Sequence, residues 1–231
     1  MTSEKAKQQI EIIYPESDGK PIGETGFHVN ATLSLFDVLL KFFYDEPEVL
    51  VAADLFLYYE EGNPEARKAP DIMVVKGVEK GHSRVFKTWE ENAIPCLIFE
   101  ITYDATRFDE FHADSAKYDD LHVWYALYAA LGVHEYFIFD PDEERPESRF
   151  CGFRLRKGRY VPIQPEDSEG RRFSQELGTW VVPDGTNLRV IAPQTGSPLL
   201  NAWEAFTYAN DEPMRTEREA RTHGSMLQRR N

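Results

Sequence analysis

The chain has 231 residues, 42% of them hydrophobic and 13% aromatic, which is enough for one sizeable buried core. Its formal net charge of −14 argues against a broad basic surface for nucleic acid, although a local basic groove or a metal site is compatible with it. No apolar run approaches the roughly 20 residues of a membrane span, and the polar N-terminus lacks the apolar core of a signal peptide. We therefore expect a cytoplasmic folded domain over residues 1–208 and a polar tail over residues 209–231.

A first helix is predicted over Glu24–Tyr44. Its buried face is predicted from apolar residues that recur at three- and four-residue steps, namely Leu33, Phe36, Leu40 and Phe43. Glu24 lies in the first turn, where the helix dipole favours an acidic side chain. That role is its simplest interpretation, and an additional acidic contact to a metal site is the alternative.

The next segment predicts short strands separated by a turn and a charged connection. Strands are expected over Val49–Ala53 and Leu55–Tyr59, and the turn follows at Glu60–Pro64. Residues 77–95 form a charged connection, the most basic part of the central region, with Lys80, His82, Arg84 and Lys87. This connection is a solvated loop in the simplest interpretation, and a phosphate-facing segment in the alternative.

Two carboxylates mark the centre of the chain. Asp71 begins the apolar run of one predicted strand, and Glu100 interrupts the apolar run Cys96–Thr102 of another. A carboxylate inside an apolar run is costly unless it is paired, hydrogen-bonded or bound to a metal. Two acids on neighbouring strands fit a divalent-cation site. The alternative is that Asp71 caps a turn and Glu100 points outward from an edge strand.

The second half continues the mixed pattern of helix and strand. A helix is predicted to end at about Leu131, before Gly132, and its start contains an internal echo of ten-residue period. Further elements are a strand over His134–Pro141, hairpins within Arg149–Ile163 and Trp180–Ile191, and a short helix over residues 201–208. Cys96 and Cys151 are the only cysteines; we expect reduced thiols, and no zinc-ligand spacing is present.

Several motifs in this order resemble the Uma family of restriction endonucleases, within the PD-(D/E)XK nuclease superfamily. The resemblance covers roughly Tyr14 to Trp203. Its most specific pieces are Leu57–Pro64, Ala69–Asp71, Phe99–Thr102 and Tyr128–Phe137. It implies an α/β restriction-endonuclease-like fold, a mixed sheet flanked by helices, here with extra β-hairpins toward the C-terminus. It also implies hydrolysis of DNA phosphodiester bonds, with a homodimer left open and no role at a membrane.

The resemblance assigns roles to the two acids. The family aspartate corresponds to Asp71 and the family glutamate to Glu100. They would bind Mg²⁺ or Mn²⁺, which activates water and stabilises the transition state of phosphodiester hydrolysis.

The lysine of the superfamily is the point at which this chain departs from the pattern. It normally follows the glutamate by two positions, where this chain has Thr102. In the family it is displaced to the following helix, four positions before the tyrosine that aligns with Tyr128, and that position holds Trp124. Tryptophan has no charge to bind a phosphate. Lys117, in the earlier copy of the echo, is the candidate replacement.

Three hypotheses remain from the sequence. The first is a Mg²⁺-dependent endonuclease with Asp71 and Glu100 as metal ligands, Lys117 as the catalytic cation and Glu24 as an additional acid. The second is a catalytically weakened nuclease fold that binds nucleic acid or protein, which Trp124 and the negative charge favour. The third is a structural domain whose two acids are surface features.

Overall fold

The computed structural model describes residues 12–17, 25–81, 83–102, 119–141 and 149–210. In chain order the elements are α1 (Gly26–Phe42), β1 (Val49–Ala53), β2 (Leu57–Tyr58), β3 (Arg67–Lys68), β4 (Ile72–Lys76), β5 (Phe86–Lys87), α2 (Thr88–Glu91), β6 (Leu97–Ile101), α3 (Asp119–Leu131), β7 (Glu135–Phe139), β8 (Phe150–Arg156), β9 (Arg159–Pro162), β10 (Arg172–Ser174), β11 (Thr179–Asp184), β12 (Asn187–Val190) and α4 (202–210).

A mixed six-stranded sheet forms the centre of the molecule, in the order β1-β4-β6-β7-β8-β9. The pair β6 and β7 is parallel, and the other neighbours are antiparallel. Parallel neighbours need a crossover, and the segment between β6 and β7 contains α3. Two three-stranded sheets complete the fold, β10-β11-β12 and β3-β2-β5. The predicted α/β fold with a mixed sheet and additional hairpins is confirmed.

Buried side chains cover both faces of the central sheet. On one face, α1 packs against β1, β6 and β12, and the apolar side chains of β11 and β12 close the cluster. On the other face, the C-terminal half of α3 packs near Met73, Ile98 and Tyr136. A strand that is buried on both faces reads as a continuous apolar run, which explains the composition of β4, β6 and β7.

The helix α1 exists as predicted, but only part of the predicted buried face is confirmed. Phe43 is buried and Phe36 packs against the core, whereas Leu33 and Leu40 are 59% and 44% exposed, respectively. The other buried residues are His28, Ala31, Leu35, Val38 and Leu39. The helix is apolar around much of its circumference, so two stripes of three- and four-residue spacing fit its sequence equally well. Its position against β1, β6 and β12 selects between them.

The charged connection predicted over residues 77–95 contains regular structure. Residues Phe86–Lys87 form β5, which pairs in parallel with β2, and Thr88–Glu91 form α2. The strand β3 at Arg67–Lys68 pairs with β2 from the other side. Each strand of this small sheet has two residues, which is too short for an alternating pattern to be recognised in the sequence.

The predicted hairpin within Arg149–Ile163 is confirmed as β8 and β9. Its turn residues Lys157 and Gly158 both have positive φ, 51° and 76°. Two successive left-handed residues match the twist of a two-residue hairpin, and glycine takes the second position without strain. The hairpin within Trp180–Ile191 is likewise found, as β11 and β12.

Cys96 and Cys151 form no disulfide, as the sequence predicted. The Cys96 thiol is buried and lies 3.4 Å from the Val74 carbonyl oxygen, to which it donates a hydrogen bond. Within the described ranges, no helix is long and apolar enough to cross a bilayer. Residues 211–231, most of the predicted tail, lie outside the described part of the chain.

Candidate active site

The strands β4 and β6 bring Asp71 and Glu100 to the same place. These strands are antiparallel, with Ile72 opposite Phe99. Asp71 precedes Ile72, and Glu100 follows Phe99, so the register places the two acids beside each other. The backbone N–H of Ile101 confirms this closeness, because it donates to Asp71 Oδ2 at 2.6 Å.

The Asp71 carboxylate is held by two groups. Besides the Ile101 N–H, His28 contributes its Nε2, which lies 3.2 Å from Asp71 Oδ1. The side chains of His28 and Asp71 are only 11% and 19% exposed. His28 comes from the first turn of α1, where the Thr25 hydroxyl accepts a hydrogen bond from the His28 backbone N–H.

Sequence reasoning missed His28. The available signal was its spacing of three and seven residues before Ala31 and Leu35, which puts a histidine on one apolar helical stripe. The stripe was assigned to other residues of α1, so His28 had no predicted place near the acids.

The Glu100 carboxyl is buried and unusually basic. It is 7% exposed, and Tyr128 Oη donates a hydrogen bond to Glu100 Oε1 at 2.7 Å. Burial raises the pKa of Glu100 to about 7, and the positive charge of Lys68 opposes that rise while the neighbouring Asp71 adds to it. Burial and the Glu100 charge together raise the pKa of Tyr128 well above its ordinary value, so this hydroxyl stays a donor.

Trp124 lies one turn before Tyr128 on α3, at the position where the family motif predicts lysine. Its half-buried ring contacts a cation: the ammonium nitrogen of Lys68 lies 4.1 Å from the ring centroid. Lys68 belongs to β3, where it pairs with Leu57 of β2. An ammonium therefore stands over the side chain that occupies the lysine position.

Two predicted site residues lie outside the described residues. These are Glu24, the additional acid, and Lys117, the candidate cation. Their roles stay predictions.

The paired carboxyls suit a divalent cation. Carboxylate oxygens are the ligands that Mg²⁺ prefers, and a cation between Asp71 and Glu100 would offset the Asp71 charge that helps to raise the pKa of Glu100. Across the ranges that the structure describes, no group of three or more histidine, cysteine and acidic side chains could hold a metal. Mg²⁺ commonly uses one or two carboxylates and completes its shell with water and substrate phosphate, so a two-acid site fits this ion.

The motifs of the chain and this geometry agree with a comparison against known families. A family model described as "Uma2: Putative restriction endonuclease" matches residues 3–188. The chain belongs to the Uma2 family. The family predicted from the sequence motifs is thereby confirmed.

A solved structure is also similar. It is the crystal structure of a putative nuclease belonging to DUF820 from Anabaena variabilis, with a TM-score of 0.44 and 13% sequence identity. The similarity covers 69% of this chain and 77% of that chain. No curated protein matches the chain.

Proposed function

We propose that this Uma2 protein is an endonuclease that hydrolyses DNA phosphodiester bonds with Mg²⁺ or Mn²⁺ bound by Asp71 and Glu100. Membership of a restriction-endonuclease family supports the reaction class. The observation that carries the proposal is the pair of carboxyls at the end of β4 and β6, one of them buried and both held by hydrogen bonds.

The neighbouring residues would hold the two carboxyl groups in an orientation that can bind the cation. The Ile101 N–H and His28 fix the Asp71 carboxylate, while Tyr128 fixes Glu100. A bound divalent ion supplies Lewis acidity and an activated water. Because the ligands are already oriented, little reorganisation is needed when negative charge develops on the phosphate.

The net charge of −14 opposes DNA binding over most of the surface. A divalent cation at Asp71 and Glu100 would neutralise the acids at the point where the phosphate must approach. DNA affinity should therefore depend strongly on the metal, because without it the phosphate meets two acidic side chains and no cation bound between them.

A second candidate function is a catalytically weakened nuclease fold that binds nucleic acid or protein. Trp124 at the lysine position is the observation that favours it. On this alternative the two acids still bind a cation, but the cleavage rate is low or zero.

Calorimetry and cleavage separate these functions. Mg²⁺ and Mn²⁺ are titrated into the full chain, Asp71→Asn and Glu100→Gln, with Glu61→Gln at an exposed carboxyl as the matched control. We expect the natural chain and the control to bind the ions and nick supercoiled plasmid DNA, and both site variants to lose binding and cleavage. Metal binding without cleavage would favour the weakened fold. Absence of metal binding would refute both and leave a structural domain.

A further inference from the structure

The site as predicted from the family contains two acids and lacks a fixed cation on α3. The structure places a lysine from another element against that helix position. Lys68 extends from β3, three residues before Asp71, and its ammonium lies 4.1 Å from the centroid of the Trp124 ring. The positive charge of Lys68 also acts on Glu100, where it is the first of the influences that oppose the effect of burial on the pKa.

We propose that Lys68 is the cation of this active site and contacts the scissile phosphate, with Trp124 holding its ammonium in the place of the family lysine. This inference rests on the proposed nuclease function and names a residue that the family motif does not predict.

The face of the Trp124 ring can hold the Lys68 ammonium and still leave it able to bind a phosphate. A tryptophan face attracts a cation more strongly than the other aromatic rings do, and it occupies only one side of the group. A lysine ammonium has three N–H donors and no acceptor, so those directed away from the ring stay able to bind phosphate oxygens. A carboxylate partner would instead neutralise the charge that the phosphate needs.

Packing around β3 fixes the backbone position of Lys68. Leu57, its partner across the β2–β3 ladder, is fully buried, and Ala66 just before β3 is buried as well. The chain then runs directly through Pro70 to Asp71, so one short segment delivers both a metal ligand and a cation. Proline limits the conformations of that segment, which keeps the spacing between the two groups narrow.

This arrangement also explains the tryptophan. Taken alone, Trp124 indicates that the lysine of this helix position has been lost, because an indole carries no charge. Together with Lys68, Trp124 indicates a replacement of the lysine. The positive charge comes from β3, and α3 contributes the ring that positions it. The number of cations at the site is then unchanged from the family pattern.

The test compares Lys68→Met, Lys68→Arg and the natural chain. Methionine keeps the length and packing of the side chain but removes the charge, whereas arginine keeps the charge. Lys87→Met is the matched control, because Lys87 lies in β5 of the same small sheet with its ammonium 4.8 Å from the centroid of the Tyr14 ring. Thermal unfolding of each variant checks that the fold is retained.

Two measurements are made on every variant. The first is the rate of DNA cleavage at saturating Mg²⁺, which we expect to fall on the order of a hundredfold to a thousandfold in Lys68→Met, to fall less in Lys68→Arg and to change little in Lys87→Met. The second is DNA affinity in Ca²⁺ over a range of salt concentrations. Loss of one phosphate contact should reduce the slope of log affinity against log salt by about 0.9 in Lys68→Met.

A rescue variant completes the test. Lys68→Met combined with Trp124→Lys returns an ammonium to the helix position, and we expect it to recover much of the lost rate and the salt slope. Cleavage and salt dependence of Lys68→Met equal to those of the natural chain would overturn the inference while leaving the nuclease function intact. If the natural chain binds metal but does not cleave, the salt slope alone decides. Failure of the natural chain to bind metal would refute the proposed function itself.

Discussion

Replacement of Glu100 by glutamine should change how the stability of the protein depends on pH. The carboxyl is buried beside Asp71, and its pKa in the folded chain is raised from 4.5 to about 7. The folded state therefore holds a proton that the unfolded chain releases at lower pH. The stabilising contribution of this proton is fully present below about pH 4.5 and is lost as the pH rises through about 7.

The magnitude follows from the two pKa values. The difference between 4.5 and about 7 corresponds to a loss of about 3 kcal/mol in the free energy of unfolding once both states are ionised. Glutamine is neutral at every pH and can still accept the hydrogen bond of Tyr128, so Glu100→Gln should not show the loss. In a chain of this size, about 3 kcal/mol corresponds to about 6–12 °C in Tm.

Thermal and urea unfolding in EDTA, at about pH 5 and about pH 8.5, measure this effect. We expect Glu100→Gln to be close to the natural chain at the lower pH and more stable at the higher pH, while the exposed control Glu61→Gln follows the natural chain at both. A difference between Glu100→Gln and the natural chain that is the same at both pH values would refute the assignment of the proton to this site.

Three further outcomes are expected. Leu39→Ala should lower the free energy of unfolding in urea by about 2–5 kcal/mol, and Leu40→Ala by less than about 1 kcal/mol, because Leu39 is fully buried and Leu40 is 44% exposed; equal losses would contradict the observed face of α1. Tyr128→Phe should destabilise more at about pH 8.5 than at about pH 5, since its hydroxyl bonds an ionised Glu100 only at high pH; urea unfolding at the two pH values measures this. Burial raises the pKa of the Cys96 thiol to about 12, so a thiol reagent should label it only on unfolding; rapid labelling of Cys96 in native Cys151→Ser, which leaves no other cysteine, would refute this.

The sequence predicted the sheet and the acid pair because both have strong local signals. The strands β4 and β6 are buried on both faces, so their apolar runs identify them without any alternation. An acid at a fixed place in each run stands out against that background. The sequence placed Asp71 and Glu100 on neighbouring strands, and the observed pairing of β4 with β6 agrees with this.

The residues that sequence reasoning missed depend on tertiary contacts. His28 is one of several residues on an apolar helix, and only the packing of α1 decides that it meets Asp71. Lys68 lies in a strand of two residues that exists because β2 pairs with it, and its ring contact joins positions that are 56 apart in the sequence. Helical spacing could have placed His28 on the buried stripe of α1, but no local pattern identifies Asp71 or Trp124 as the partner of either residue.

A common electrostatic cause connects the pH dependence of stability with the proposed activity. Burial of the Glu100 carboxyl, to which the neighbouring Asp71 charge adds, makes ionisation of Glu100 unfavourable, and this weakens the metal-free fold at high pH. A divalent cation bound by the two acids, as proposed, would offset this cost by neutralising the Glu100 charge, so part of its binding free energy would be the recovery of that loss. Lys68 lowers the pKa of Glu100 but is held by the Trp124 ring, so it reduces this cost while its ammonium stays able to meet a phosphate. The buried Glu100 carboxyl next to Asp71, which weakens the metal-free fold at high pH, would therefore also favour the binding of a cation and, through it, of a phosphate.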